Sequence, residues 1–141
     1  MSEEEILNLG KQTLAAQPFS QLVGAKLTTF KEGEVVFEIP IRDELLQHHG
    51  FVHGGVLSFA ADNALTFVGG TVLGPAIITS EYKINYLKPG IGETIIARAY
   101  TVSSGKRQAV CRCDIFTVKN SEEKLCAVAQ GTIVTFNDEK K

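Results

Sequence analysis

One run constrains this chain more than any other. After His53-Gly54-Gly55 comes a stretch from Val56 to Val68 in which Val56, Leu57, Phe59, Ala60, Ala61, Ala64, Leu65, Phe67 and Val68 are apolar. The spacing predicts a helix over about 54–68, roughly 22 Å long at 1.5 Å per residue. Its apolar residues surround nearly the whole circumference, the pattern of a buried helix rather than a surface one. The polar residues Ser58, Asp62 and Thr66 follow an i, i+4, i+8 spacing and form one narrow stripe. Gly69 and Gly70 are expected to end the helix. A chain built around such an element must wrap something else over it.

The remaining sequence supplies strands for that purpose. Ser2 and Glu5 have capping-box spacing, which predicts a short helix over about 3–16, with Pro18 closing it. "LVGAKLTTF" and "EVVFEIPI" flank Lys31–Gly33 and read as a strand pair, whereas 42–52 reads as irregular. "IITSEYKINYL" alternates, with Ile78, Ser80, Tyr82, Ile84 and Tyr86 on one face and Glu81, Lys83 and Asn85 on the other. Further strands are expected at 94–102, 107–118 and 125–136, separated by "SSGK" and "KNSEEK". Together these describe an α+β arrangement, one antiparallel sheet curled round a central helix. With 141 residues the whole chain, 1–141, is expected to form one domain.

Composition removes several function classes. The chain is 44% hydrophobic and 21% charged with a net charge of −2, which gives no basic surface for nucleic acid or anionic membrane. The acidic N-terminus, "MSEEEILNLG", is not a secretory signal. Ser58, Asp62, Asn63 and Thr66 interrupt the longest apolar stretch and argue against a membrane span. Cys111, Cys113 and Cys126 have neither metal nor redox spacing and read as small buried hydrophobes in a reducing cytoplasm. The one large partner this leaves is another copy of the chain.

Asp62 carries the chemical signal. No Lys or Arg occurs between Asp43 and Tyr82, so the carboxylate has no cation on its own helix. Burying an ionised carboxylate unpaired costs several kcal/mol, and Asp is a mediocre interior helix former. Its presence here points to use. The structural alternative is that Asp62 meets water or a distant base such as Arg98 or Arg112. At the other end of the helix, the first turn leaves backbone N–H groups without partners, backed by the positive end of the macrodipole. Gly54 and Gly55 let another molecule approach those groups with no Cβ in the way, which makes an oxyanion site.

"HGG" followed by Asp62 nine residues after His53, then "ITSEYKINYLKPG", resembles the PaaI-type branch of hotdog-fold acyl-CoA thioesterases. The likeness extends from "PFSQLVGAKL" at Pro18–Leu27 to "AQGTIVTF" at Ala129–Phe136. It implies a hotdog fold and hydrolysis of an acyl-CoA to free acid and CoA, with no metal or organic cofactor. It implies a homodimer at least, and a homotetramer built as a dimer of dimers. By the family's pattern Asp62 is the catalytic carboxylate, and Gly54 is the glycine whose N–H polarises the thioester carbonyl. Gly55 beside it gives the substrate access. His53 is the histidine that sets the loop geometry, and Thr79 matches a hydroxyl position on the strand after the helix. Gln47 stands where many members carry Asn to orient water or substrate. Strict alternation puts Thr79 on the face of Glu81, away from the helix. Lys88, Lys106 and Arg107 are the loop cations best placed for the CoA phosphates.

Other chemistries fit parts of the same pattern. His49, His53 and Asp62 suggest a metal, but Gly50 between the histidines argues against a rigid ligand pair. Ser58, one turn before Asp62, invites a Ser–His–Asp triad but lacks a nucleophile elbow. A hotdog hydratase or dehydratase, and a non-catalytic acyl-CoA-binding domain, are the remaining alternatives.

Overall fold

The computed structural model describes residues 1–136, so the end of the expected domain, 137–141, lies outside it. Helix α1 (Glu3–Ala15) opens on a complete capping box. The Ser2 hydroxyl accepts from the Glu5 N–H at 3.1 Å, and the Glu5 carboxylate accepts from the Ser2 N–H at 2.9 Å. Pro18 does not merely close this helix. It starts a second one, α2 (Pro18–Val23), as its first residue. Proline's missing N–H costs nothing in a first turn, and its φ is already helical. Gly24, left-handed at φ 91°, ends α2, and strand β1 (Lys26–Lys31) therefore begins later than the apolar run from Leu22 suggested.

After β2 (Glu34–Pro40) and a 3-10 turn at Asp43–Leu45 comes α3 (Gly54–Leu73). It is followed by β3 (Ile77–Tyr86), β4 (Thr94–Ser104), β5 (Gln108–Lys119) and β6 (Glu122–Thr135). The strands form one six-stranded sheet in the order β1-β2-β4-β5-β6-β3, every neighbouring pair antiparallel. The sheet wraps α3, and Leu57, Ala61, Leu65 and Val68 of the helix share one core with Val35, Phe37, Cys113 and Ile133 of the strands. This is the hotdog arrangement. The "KNSEEK" segment is shorter as a turn than its composition suggested. Asn120 and Ser121 at positive φ (52° and 65°) make the reversal, and Glu122 already pairs with Lys119. Two successive residues at positive φ suit a tight hairpin.

Helix α3 departs from expectation in two ways. It continues through Gly69 and Gly70 to Leu73 and stops at Gly74, whose φ is 102°. Gly69 serves contact rather than termination: a Cβ there would lie 2.7 Å from Cβ of Ile133, which is fully buried on β6. Gly69→Ala should therefore lower stability by about 1–3 kcal/mol through overpacking, less about 1 kcal/mol returned by better helix propensity. Thermal melting checks this, and a midpoint at or above that of the parent would show that α3 can back away from the sheet. Second, the sheet covers only one side of α3, and Val56, Phe59, Asn63 and Gly70 stay partly exposed on the other. Phe19 of α2 meets the edge of this open face, its ring 5.1 Å from that of Phe59. By length and mean hydropathy (1.4) α3 would suit a membrane span, but its apolar side is spent on the core.

The three cysteines are unpaired and buried. Burial pushes the Cys111 and Cys126 thiols up to about 11. Burial, with the Asp114 carboxylate beside it, pushes Cys113 higher still. None offers a thiolate near neutral pH.

Candidate active site

The N-terminus of α3 is built by the loop that precedes it. Val52 donates to the Gly90 carbonyl at 2.9 Å and His53 to the Leu45 carbonyl at 2.8 Å, which pins the entry to the helix. His53 is the N-cap, and its Nδ1 accepts the Gly55 N–H at 2.8 Å. An accepting Nδ1 places the ring proton of the neutral imidazole on Nε2. Gly55 is needed for this cap, because a Cβ at 55 would lie 2.9 Å from that nitrogen. The Gly55 N–H is thus consumed inside the chain. The Gly54 N–H meets no acceptor among the described residues. Tyr86 frames it, donating its hydroxyl to the Gly54 carbonyl at 3.2 Å. Gly54, Gln47, Leu57 and Tyr86 line one hollow of about 300 Å³. Gln47 is folded into its own loop there, its side-chain oxygen accepting from the His49 N–H and its carbonyl from the Gly50 N–H at 3.0 Å.

The second cluster lies on the stripe of Ser58, Asp62 and Thr66, where α3 faces β3. Thr79 donates its hydroxyl to Asp62 Oδ1 at 2.8 Å. Thr66 donates to the Asp62 carbonyl at 2.7 Å, and its oxygen lies 2.8 Å from the Thr79 oxygen. Each hydroxyl has one proton; that of Thr66 is committed to the helix, leaving that of Thr79 for the carboxylate. One turn earlier, the Ser58 hydroxyl is bonded to the Tyr82 hydroxyl. Oδ2 of Asp62 accepts no hydrogen bond from the described residues. Neither arginine considered earlier reaches the carboxylate. Arg98 grips Glu123 with two bonds of 2.8 and 2.9 Å and lies 4.9 Å over the Phe116 ring, while Arg112 is exposed.

Thr79 reaches Asp62 because β3 does not alternate strictly. Its pairing with β6 jumps from Thr79↔Ile133 to Glu81↔Thr132, which leaves Ser80 as an extra residue. This β-bulge reverses the phase of the strand. Ile77 and Thr79 turn inward with Tyr82 and Ile84, whereas Ile78, expected inward, is 55% exposed, and Ser80 is exposed too. The stripe of Ser58, Asp62 and Thr66 is legible in the sequence, whereas its partner Tyr82 is not. The polar residues of "ITSEY" were the available signal, and a period-2 reading could not place the slip.

The chain does not bring all the candidate residues together. Gly54 and Asp62 are eight residues apart on one helix, about 12 Å along its axis, too far for a single carbonyl to meet both. Lys88 stands by Gly54, at the end of the sheet where β5 finishes. Lys106 and Arg107 stand at its start, about 36 Å away by strand rise. His49 packs against His48, ring centroids 4.0 Å apart, while His53 is turned to Gly55.

The geometry can be set beside known proteins. The family model described as the thioesterase superfamily matches residues 49–124, which include all of α3 and most of the sheet. A putative esterase of Archaeoglobus fulgidus is 31% identical over 120 residues, 84% of this chain and 75% of the relative. The acyl-coenzyme A thioesterase PaaI of Escherichia coli is 28% identical over 113 residues, 79% of this chain and 78% of PaaI. Among solved structures, a thioesterase family protein from Silicibacter pomeroyi superposes with a TM-score of 0.87 at 26% identity, covering 96% of this chain and 98% of that one. The structure of Escherichia coli PaaI gives 0.83 at 23% identity, covering 96% of each, which speaks for the fold.

Proposed function

Since the chain belongs to the thioesterase superfamily, we propose that it hydrolyses an acyl-CoA thioester to a free acid and CoA. The observation that carries this reading is the lone carboxylate of Asp62, with one oxygen held by Thr79 and the other accepting no hydrogen bond from the described residues. In the proposed reaction the Gly54 N–H and the helix dipole polarise the thioester carbonyl. Asp62 then attacks that carbon, forming a mixed anhydride that water hydrolyses to the free acid after CoA has left, or it takes a proton from a water that attacks directly. The carbon–sulfur bond breaks, and the CoA thiolate is protonated by the medium. A general base is typically worth about 10²–10⁴ in rate, and one oxyanion donor about 2.7–4 kcal/mol. His53 holds the loop, and Gln47 stands beside the entrance.

The distance of about 12 Å between Gly54 and Asp62 along α3 supports a site shared by two copies, each giving the donor to one site and the carboxylate to the other. Two further features agree with a second copy. β3 is an edge strand with one side unpaired in the sheet. Asn63, next to Asp62 on the open face of α3, has a buried amide nitrogen with no partner among the described residues. Edge-to-edge pairing along β3 gives the dimer, and two dimers a tetramer. Buried unpaired thiols suit a reducing cytoplasm.

The test is a panel of aryl-acetyl, medium-chain and branched acyl-CoAs followed by release of free thiol, before and after dialysis against EDTA. At least one thioester should be cleaved, and EDTA should change neither turnover nor thermal midpoint. CoA binding with no cleavage of any member would favour a non-catalytic acyl-CoA-binding domain. Activity lost to EDTA and restored by zinc would put a metal in the mechanism.

A further inference from the structure

The hydroxyl pair of Ser58 and Tyr82 has no part in the reaction proposed above. It stands on the same stripe as Asp62, one turn nearer the start of α3, among the buried side chains of Leu57, Ala61 and Leu65. An acyl site with only apolar groups to hold would be served by apolar side chains at both positions. The pair is instead built into the fold. The β-bulge at Ser80 turns Tyr82 inward together with Thr79. Gly131 lies opposite Tyr82 on β6, and a Cβ there would come within 2.5 Å of the Tyr82 Cβ. A glycine inside a strand weakens it, and here it leaves room for the side chain at position 82. The Tyr82 ring packs against the core, which fixes where its hydroxyl stands.

The two hydroxyls carry two protons, and the bond between them uses one. The other has no acceptor among the described residues. Thr66 differs, because its proton returns to the Asp62 carbonyl on its own helix. Ser58 and Tyr82 are both half-buried, as Asp62 is, so the pair is within reach of whatever reaches the carboxylate. Water can take the free proton in the empty site. An acyl chain that enters displaces that water, and a plain alkyl chain leaves the hydroxyl with no acceptor. A chain carrying an oxygen at the right place restores the bond.

We infer that the Ser58–Tyr82 pair selects the acyl group by donating a hydrogen bond to an oxygen, hydroxyl or keto, on its third carbon. Ser58 precedes Asp62 by about 6 Å along α3. The attacked carbonyl carbon stands about 3–3.5 Å from the attacking oxygen, and an O–H···O bond reaches about 2.7–2.8 Å. An oxygen on the third carbon, two bonds beyond the carbonyl carbon, falls within that span, whereas one at the end of a longer chain does not. The inference rests on the acyl-CoA reading above and adds to it a substrate class, 3-hydroxyacyl and 3-oxoacyl thioesters in place of plain alkanoyl ones.

The test measures kcat/KM for hexanoyl-CoA, 3-hydroxyhexanoyl-CoA and 3-oxohexanoyl-CoA in the parent, in Tyr82→Phe and in Ser58→Ala. The parent should favour at least one oxygenated substrate over hexanoyl-CoA by about tenfold, the scale of one hydrogen bond between neutral groups. The two arms show whether the oxygen is taken as hydroxyl or keto. In each variant the ratio should fall to within about twofold of unity. The ratio is read inside each variant, so a general loss of rate cancels. Thermal melts show which variants fold. Alanine suits a helix interior, so Ser58→Ala carries the test if Tyr82→Phe is unstable. A parent that cleaves all three thioesters without preference would overturn the inference and leave the thioesterase reading intact. So would equal favour for 2-hydroxyhexanoyl-CoA or 6-hydroxyhexanoyl-CoA. A preference kept in either folded variant, with kcat lowered alike for every acyl group, would assign the pair to the attacking water and overturn it too. If the parent cleaves no thioester, calorimetry with the same intact compounds decides. Tighter binding of an oxygenated one, lost in the variants, would keep the selector and remove the thioesterase reading; equal binding would remove both.

Discussion

Asp62→Asn should fold like the parent and lose at least about two orders of magnitude in kcat. The substitution keeps the shape of the side chain and one oxygen that can still accept the Thr79 hydroxyl, now 2.8 Å from Oδ1. The Thr66 bond goes to the Asp62 backbone carbonyl and is untouched. Stability should therefore change little, because no ion pair is broken: among the described residues Asp62 has none. What is lost is the basicity of the second oxygen. Turnover measured beside a thermal melt separates the two effects, and near-normal kcat in the folded variant would remove Asp62 from the mechanism.

Mixing two inactive variants should restore activity if the site is shared. Gly54→Pro deletes the proposed oxyanion donor with limited damage, for reasons local to the helix start. Gly54 is the first helical residue, where proline is tolerated. His53 before it has φ −60° and ψ 135°, the conformation a residue preceding proline prefers. A Cβ at position 54 would approach the Tyr86 ring no closer than 3.6 Å, an ordinary contact. Gly54→Pro and Asp62→Asn should each be nearly inactive alone. Refolded together in equal amounts, random pairing makes half the dimers mixed, each with one site carrying both groups. Activity should return to roughly a quarter of the parent value. Mixed dimers shown by mass spectrometry to form, with Gly54→Pro shown to fold and no activity recovered, would put the whole site within one chain.

The fold was largely legible along the chain because its signals are local. A helix apolar all round, strands of period two and a capping box each report on neighbours a few residues apart, and they agree on a sheet wrapped round α3. The isolation of Asp62 from any nearby cation, and the glycine pair at the helix start, were legible for the same reason. Three local readings fell short of the fold. Gly69 reads as a stop signal, but in the fold it is the place where α3 touches Ile133. Pro18 reads as the close of α1, which does end before it, but it also begins α2. The helix reads as buried on every side, yet its own sheet covers only one.

The site shows the same division. The cost of burying a carboxylate predicts a partner for Asp62, which the fold leaves half-buried, and the sequence by itself determines that no partner is a neighbouring cation. Which group meets it was decided by pairing between β3 and β6. The extra residue Ser80 exists only relative to Thr132 and Ile133 on the other strand, so no pattern within β3 reveals that Thr79 turns inward. Periodicity determines which face a residue prefers; only the tertiary structure, through register shifts and loop closure, decides which residues from far along the chain stand opposite it.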